Sequence, residues 1–359
     1  MLPQSSLNFL QRYLNNPSPT SREYMGQQMW LDYLKPYIDE YVVDAYGSVA
    51  GMVNPHADYK VAIEAHADEI GWMVNYIDEK GFLWLIRNGG SDHMIAPSMR
   101  AHIHTADGKV VEGVFGWPAI HVRERDQEKV PKVKDLFVDI GCDSREEVLE
   151  KGVHVGALVT YQDQMTWLNE QRYLVGRAVD NRIGGFVIAE VARRLKEEGK
   201  QLPFGLCIVN SVQEEVGLRG ALMISRRLKP DVAVSIDVCH DTQSPQYDKK
   251  AQGDFTAGKG PVLTYAPAVQ NNLLKMLFEV ARKNEIAYQV SASSPGSGTN
   301  TDSFAYGGEG IPSALISLPI KYMHTTVEMA HHQDIEQCIE LYYQFLLHLD
   351  AGHDFRYIK

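Results

Sequence analysis

No two cysteines of this chain are near neighbours. Cys142, Cys207, Cys239 and Cys338 are the full set in 359 residues, and no C-x-x-C pair occurs. Such sparse usage argues against a disulfide framework and fits free thiols in a reducing compartment. No apolar run approaches the roughly 20 residues that span a bilayer, so no membrane partner is expected. The first ten residues lack a basic region followed by an apolar one; no secretory signal is read, and the cytoplasm is the expected location. Positive charge is also short, with 35 Lys and Arg against 46 Asp and Glu and a formal net charge of −11. Without a dense basic run, nucleic acid is not expected as a partner. What remains is an ordinary globular composition, 44% hydrophobic and 23% charged. A chain this long buries a large core without structural metals, so a metal bound here is expected to do chemistry.

The texture changes twice along the chain. At the amino terminus Leu7, Leu10 and Leu14 mark one face of an amphipathic helix. Residues 61–66 read as a buried strand that ends at His66. From Gly71 to about Gln164 the pattern is a run of hairpins: Trp72–Ile77 with Phe82–Arg87, then Ala101–Thr105 with Lys109–Phe115. A short helix is read at Ser144–Lys151. From Asp180 onward strands alternate with helices. Ile183, Val187, Val191 and Leu195 recur every four residues, with Gly199 as the stop. Apolar strands follow at Leu206–Val212, Val232–Ile236, Tyr288–Ala292 and Ala314–Leu318, with a helix at Leu273–Lys283. The last helix carries Ile335, Cys338, Tyr342, Phe345 and Leu349. The expected fold class is α/β, with a mixed, largely parallel sheet flanked by helices. A catalytic domain of residues 1–70 and 165–359 is expected to be interrupted by an all-β domain of residues 71–164.

In such sheets ligands gather at the carboxyl ends of strands. After Val61–Ala65 come His66 and Asp68; after Leu206–Val212, Glu214 and Glu215. Asp237 follows Val232–Ile236, His324 comes a few residues after Ala314–Leu318, and Asp180 stands where a helix begins. Two histidines among several carboxylates form a donor set for divalent ions, zinc first, with cobalt or manganese as alternatives. A shared carboxylate can bridge two ions, and Asp180 is the candidate. In a turn, both members of Glu214-Glu215 can face one site, one binding metal and the other free to take a proton. Asp68 can accept the other ring N–H of His66. Taken singly each residue has a plainer explanation. Asp180 could cap its helix, and Glu-Glu pairs are common on solvated helices. His102, His104, His121, His240, His331 and His332 look no less like ligands. Placement at successive strand ends separates the first set from these.

The same residues resemble the TET-type (glutamyl and deblocking) aminopeptidases, a family of dinuclear metallopeptidases. Ala65-His66-Ala67-Asp68-Glu69-Ile70-Gly71 is similar to its first metal motif, and Val175–Arg182 to its bridging-aspartate motif. Gln213-Glu214-Glu215-Val216-Gly217-Leu218-Arg219-Gly220 is similar to its base-and-ligand motif. Ile236-Asp237-Val238 and Tyr322-Met323-His324 complete the series, which runs over nearly the whole chain. The resemblance implies two divalent ions per subunit, one on His66 and Asp237, the other on Glu215 and His324, with Asp180 bridging. It also implies Glu214 as general base and later acid, and Asp68 as the residue that orients His66. Short peptides are the implied substrates, and a dimer built through the inserted barrel, or a hollow dodecamer, the implied assembly. Three departures bear on substrate choice and assembly. Lys321 replaces the usual arginine, the segment Asn16–Glu23 lacks the glycine before its glutamate, and Gly298–Asp302 spreads a tighter Gly-Thr-Asp run.

Three rival functions fit the sequence less well. Related dinuclear carboxypeptidases and N-acyl amino-acid deacylases share the ligand order but carry their insert after the Glu-Glu pair, whereas here it precedes Asp180. A glycosidase would place aromatic platforms near Glu214, and none is seen in the sequence. A metal-stabilised scaffold gains nothing from an unliganded acid beside two cations.

Overall fold

A computed structural model of the chain describes residues 2–123 and 130–358. Two helices come first, α1 (Gln4–Asn15) and α2 (Tyr24–Leu34). Strands β1 (Glu40–Val43), β2 (Val49–Val53) and β3 (Lys60–His66) follow. Next come β4 (Gly71–Ile77), β5 (Leu83–Asn88), β6 (Arg100–His104) and β7 (Val110–Phe115). After β8 (Phe137–Asp139), helix α3 (Arg145–Glu150) leads into β9 (Leu158–Tyr161). The chain continues through β10 (Thr166–Leu168), β11 (Tyr173–Gly176), α4 (Val179–Glu197) and β12 (Gly205–Ser211). Then come α5 (Arg219–Leu228), β13 (Val232–His240), α6 (Lys249–Gln252) and β14 (Val262–Tyr265). Helix α7 (Asn271–Lys283), β15 (Gln289–Ala292), α8 (Asn300–Ala305), β16 (Ser313–Lys321), β17 (Glu328–His331) and α9 (His332–His348) complete it.

Eleven strands form one mixed sheet in the order β1-β2-β12-β3-β13-β16-β17-β11-β10, with β14 and β15 branching from β16. Its centre, β12-β3-β13-β16, is parallel, and both flanks are antiparallel. The central strands are the continuous apolar runs of the sequence, buried on both faces as parallel strands must be. Helix α4 lies across them. Its residues Ile183, Val187 and Val191 are fully buried against the sheet, while Phe186 stacks on Phe9 of α1. The buried face of α1 is Ser6, Phe9, Leu10, Tyr13 and Leu14 rather than a Leu7-Leu10-Leu14 stripe. Leu7 stays half-exposed because the aromatic pair Phe9 and Tyr13 rotates the helix toward α4.

Strands β4 to β9 close into a separate barrel in the order β4-β5-β8-β7-β6-β9, with its own core around Trp72, Leu85, Ile103, Phe115 and Val138. Both expected hairpins are present there, and Ser144 caps α3 by accepting the Glu147 N–H. Outside the barrel, the short flanking strands β1, β2, β10, β11 and β17 have no counterpart among the expected elements. β1 and β10 are largely exposed, while β2, β11 and β17 are mostly buried but too short to show a pattern of their own. Among the described residues no helix is long and apolar enough to cross a membrane. Phe186→Ala, which empties the joint between α1, α4 and the sheet, is expected to cost about 3–5 kcal/mol. Its shift of the denaturant midpoint at unchanged slope reads that cost.

Candidate metal centre

The parallel register sets the floor of the site. Strands β3 and β13 pair as far as Ser235 opposite Glu64. One pleat further, His66 and Asp237 stand side by side where the strands part and a crevice opens. On the other flank Ser211 of β12 pairs with His66, and the chain turns at Gln213, with φ of 57°, into Glu214 and Glu215. That turn is held by Asp68. Its carboxylate accepts the Glu214 N–H at 2.9 Å, the Glu215 N–H at 3.1 Å and the Thr20 hydroxyl at 2.8 Å. Asp68 also lies 3.4 Å from His66 Nδ1, whose closer partner is the Asp68 carbonyl oxygen at 3.2 Å. The Glu-Glu pair is therefore a buried turn, not a solvated helix face.

Asp180 does not cap α4. Asn181 does so in its place, since its side-chain oxygen accepts the Gly184 N–H and its amide donates to the Ile236 carbonyl. The Asp180 carboxylate is left to face the histidines, Oδ1 at 3.2 Å from His66 Nε2 and Oδ2 at 3.2 Å from His324 Nε2. His324 also stands 3.6 Å from Glu215 Oε1, while His66 Nε2 is 3.9 Å from both Glu214 Oε2 and Asp237 Oδ1. All seven residues singled out in the sequence meet at one edge of the sheet. Two groups of three, His66-Asp180-Glu215 and His66-Glu214-Asp237, keep their donor atoms within 4.8 Å of one another. Glu214 thus lies as near the donors as the expected ligands do.

Residues without an obvious sequence signal complete the framework. Glu328, buried on β17, accepts the backbone N–H of Asp180 at 3.1 Å and of His324 at 2.7 Å. Nothing in the sequence distinguishes it from other acids. Glu23 accepts the Gln213 N–H at 3.2 Å, so the segment lacking the expected glycine still braces the turn. Gly90 of the barrel places its carbonyl oxygen 3.3 Å from His324 Nδ1. Asp302 closes its own loop on the N–H groups of Ser297 and Gly298, and Lys321 lies over the Tyr173 ring. His102, His104, His121 and His332 take no part in the cluster; His104, for one, hydrogen-bonds Thr160 inside the barrel.

The electrostatics test whether divalent cations fit. Burial, together with Asp237, Asp68 and Asp180, pushes Glu214 up to about 9 against the relief supplied by His66. Burial and Asp180 raise Glu215 well above the carboxylate range, and burial with Asp180 nearby lifts Asp237 to about 7. Burial also opposes ionisation of Asp180, but His324 and His66 outweigh it and hold that group low. Four acids in one dry crevice cannot all ionise beside only two imidazoles. With each Nδ1 turned to a backbone carbonyl, both Nε2 atoms face carboxylate oxygens; burial opposes their charge, yet the neighbouring acids raise both histidines, and a cation can take the place of that second proton. Donors about 2.1 Å from a tetrahedral ion lie roughly 3.4 Å apart, and the separations here run from 3.2 to 3.9 Å. The residues fit divalent ions.

A parallel-centred sheet with a dication-ready cluster at its carboxyl edge and a barrel at its side defines a metal-dependent peptidase of the α/β exopeptidase class. Residues 47–341 match the family model described as M42 glutamyl aminopeptidase. The lysyl aminopeptidase of Pyrococcus furiosus is 34% identical over 337 residues, covering 92% of this chain and 94% of that one. A TET aminopeptidase from a marine-sediment Thaumarchaeota archaeon shares the fold with a TM-score of 0.91 at 30% identity, covering 96% of this chain and 97% of that one. The Pyrococcus horikoshii TET1 peptidase, which can assemble into a tetrahedron or a large octahedral shell, has a TM-score of 0.83 at 27% identity, covering 96% and 100%. The chain belongs to the M42 glutamyl aminopeptidase family. It is a hydrolase that removes amino-terminal residues from peptides, and its family implies dependence on metal.

A Cβ at Gly90 would fall 2.6 Å from His324 Nδ1 and 2.7 Å from Cε1. Gly90→Ala is therefore expected to push the ring off Asp180 and weaken divalent-ion binding about 10–100-fold. Competition for zinc with a chromogenic chelator measures the loss, and unchanged circular dichroism shows that the fold stands.

Proposed function

We propose that two divalent ions, zinc first and cobalt or manganese next, are held by His66 with Asp237 and by Glu215 with His324, Asp180 bridging them. The supporting observation is that the two Asp180 oxygens each address a different histidine at the same distance. Such ions, held there, would polarise the scissile carbonyl and lower the pKa of the attacking water. Glu214 takes the proton of the attacking water and returns it to the leaving amine. Its selection over Glu215 follows from charge. Three ionised ligands, Asp180, Glu215 and Asp237, leave two dications one unit positive, which a hydroxide balances, so Glu214 is the carboxylate to spare.

Asp68 acts through others. By taking both N–H groups of the Glu214-Glu215 turn and lying against His66, it keeps base and ligands in one register. A free substrate amine, entering unprotonated, would bind one of the ions, which accounts for action at the chain terminus. Short peptides are the substrates. The barrel flank leaves Ile120 and Val122 largely exposed, 64% and 75%, which supports a homo-oligomer, a dimer as the unit and a dodecamer as the larger form, read by sedimentation. Its cysteines are all free, as the cytoplasm requires.

Glu214→Gln is expected to keep two ions per subunit by metal analysis while kcat falls at least about 10²–10⁴-fold. Loss of an ion in that variant would make Glu214 a ligand; near-normal turnover would remove the base. Stripping with a chelator should abolish aminoacyl-amide hydrolysis. Adding back zinc, cobalt and manganese in turn, with recovered rate as the readout, ranks the ions.

A further inference from the structure

The cleft over the cluster encloses about 710 Å³ and extends well past the metal donors. Its deep part is apolar, made by Val238, Phe255 and Leu315, each more than nine-tenths buried. One wall is a row of hydroxyls from Thr264, Ser291, Ser293 and Ser317. Thr264 and Ser291 occupy paired positions on β14 and β15, and their hydroxyls lie 2.6 Å apart in one hydrogen bond. Gly90, Gly217, Leu218 and Met323 also line the cleft. Beyond Asp180, Glu214, Glu215 and Asp237 no carboxylate lines the cleft, and no lysine or arginine does, among the described residues. The imidazoles are His324, in the cluster, and His240, exposed at the rim.

We propose that the enzyme selects neutral amino-terminal residues, aliphatic, methionyl or hydroxyl-bearing, and discriminates against lysine, arginine, aspartate and glutamate. This inference rests on the aminopeptidase site assigned above. It does not depend on which wall receives the side chain, because neither wall carries a fixed charge. A lysine or arginine entering the cleft gives up water and meets neutral hydroxyls or apolar surface, neither of which carries a compensating charge. Of the carboxylates that could receive it, Asp180, Glu215 and Asp237 are the proposed ligands and Glu214 the proposed base, so an ammonium paired there competes with an ion or blocks the base. A glutamate or aspartate side chain can satisfy its charge only at the ions, in competition with the scissile carbonyl. A leucine, methionine or threonine buries its carbons on Phe255 and Leu315 and leaves no charge unpaired.

The test uses the metal-replete full chain at pH 8, where an ordinary histidine at position 240 is neutral. The substrates are 4-nitroanilides of leucine, methionine, threonine, lysine, arginine, glutamate and aspartate. The neutral group is expected to lead in kcat/KM by at least about tenfold. Ser291→Asp, which puts one carboxylate on the hydroxyl wall, should raise the lysine-to-leucine ratio by about 10–100-fold. Ser293→Asp serves the same purpose if the first variant fails to fold by circular dichroism. A wild-type preference for any charged residue overturns the inference alone, as does a ratio that neither variant moves. No cleavage of any anilide removes the aminopeptidase site assignment, and this inference falls with it.

Discussion

The site hangs on one buried carboxylate. Asp68 is fully buried, yet among the described residues it has no cation within hydrogen-bonding reach except His66; its charge is met by two backbone N–H groups and a threonine hydroxyl. Hydrogen bonds to a charged acceptor are worth about 1.5–3 kcal/mol each, and an unmet buried charge costs more. The turn after β12 must therefore stay where Asp68 is satisfied, and in that position Glu214 and Glu215 point into the crevice. One acid two residues beyond β3 thus fixes the neighbouring strand's loop as well as its own histidine. Glu328 does the same on the other side, joining the backbones of Asp180 and His324. Two buried acids that need not touch substrate hold ligands supplied by four segments of the chain.

The remaining acids are in the opposite condition. Glu214, Glu215 and Asp237 lack enough N–H donors and sit where burial opposes their ionisation. Such an arrangement destabilises the empty site and rewards a cation, so metal affinity is obtained at the expense of local stability. The surrounding sheet can carry that cost because its core is large: α4 alone buries most of its length. The same reasoning separates Glu69, which meets Arg177 and the Ser18 N–H and so behaves as an ordinary internal ion pair despite lying next to Asp68.

How much of this was legible in the sequence depends on what each feature requires. Strands β3, β12, β13 and β16 showed as unbroken apolar runs because both their faces are covered, and the residues just beyond them could be read as a row. His66, Asp180, Glu214, Glu215, Asp237 and His324 emerged from that row together. Glu328, Asn181 and Gly90 did not. Each works through a single contact to a distant segment, and nothing local marks an acid that accepts two remote N–H groups or a glycine that makes room for a remote imidazole. The flanking strands escaped for a related reason, since β17 and β11 are specified by their partners rather than by their own pattern.

Gly90 also changes what the barrel means. Read as hairpins, residues 71–164 are an appendage whose business lies with neighbouring subunits. In the structure the loop after β5 reaches back over the crevice, accepts the His324 N–H and allows no side chain larger than hydrogen at that point. His324 stands on a bend of positive φ, 62°, after β16 and is one-third exposed, the least enclosed of the proposed ligands. Its ring is held in place by Asp180 on one nitrogen and by the barrel on the other. A displacement of the barrel relative to the sheet would therefore reach the metal centre through one imidazole. The insert thus packs against a residue of the candidate site, and whatever fixes the barrel also steadies His324.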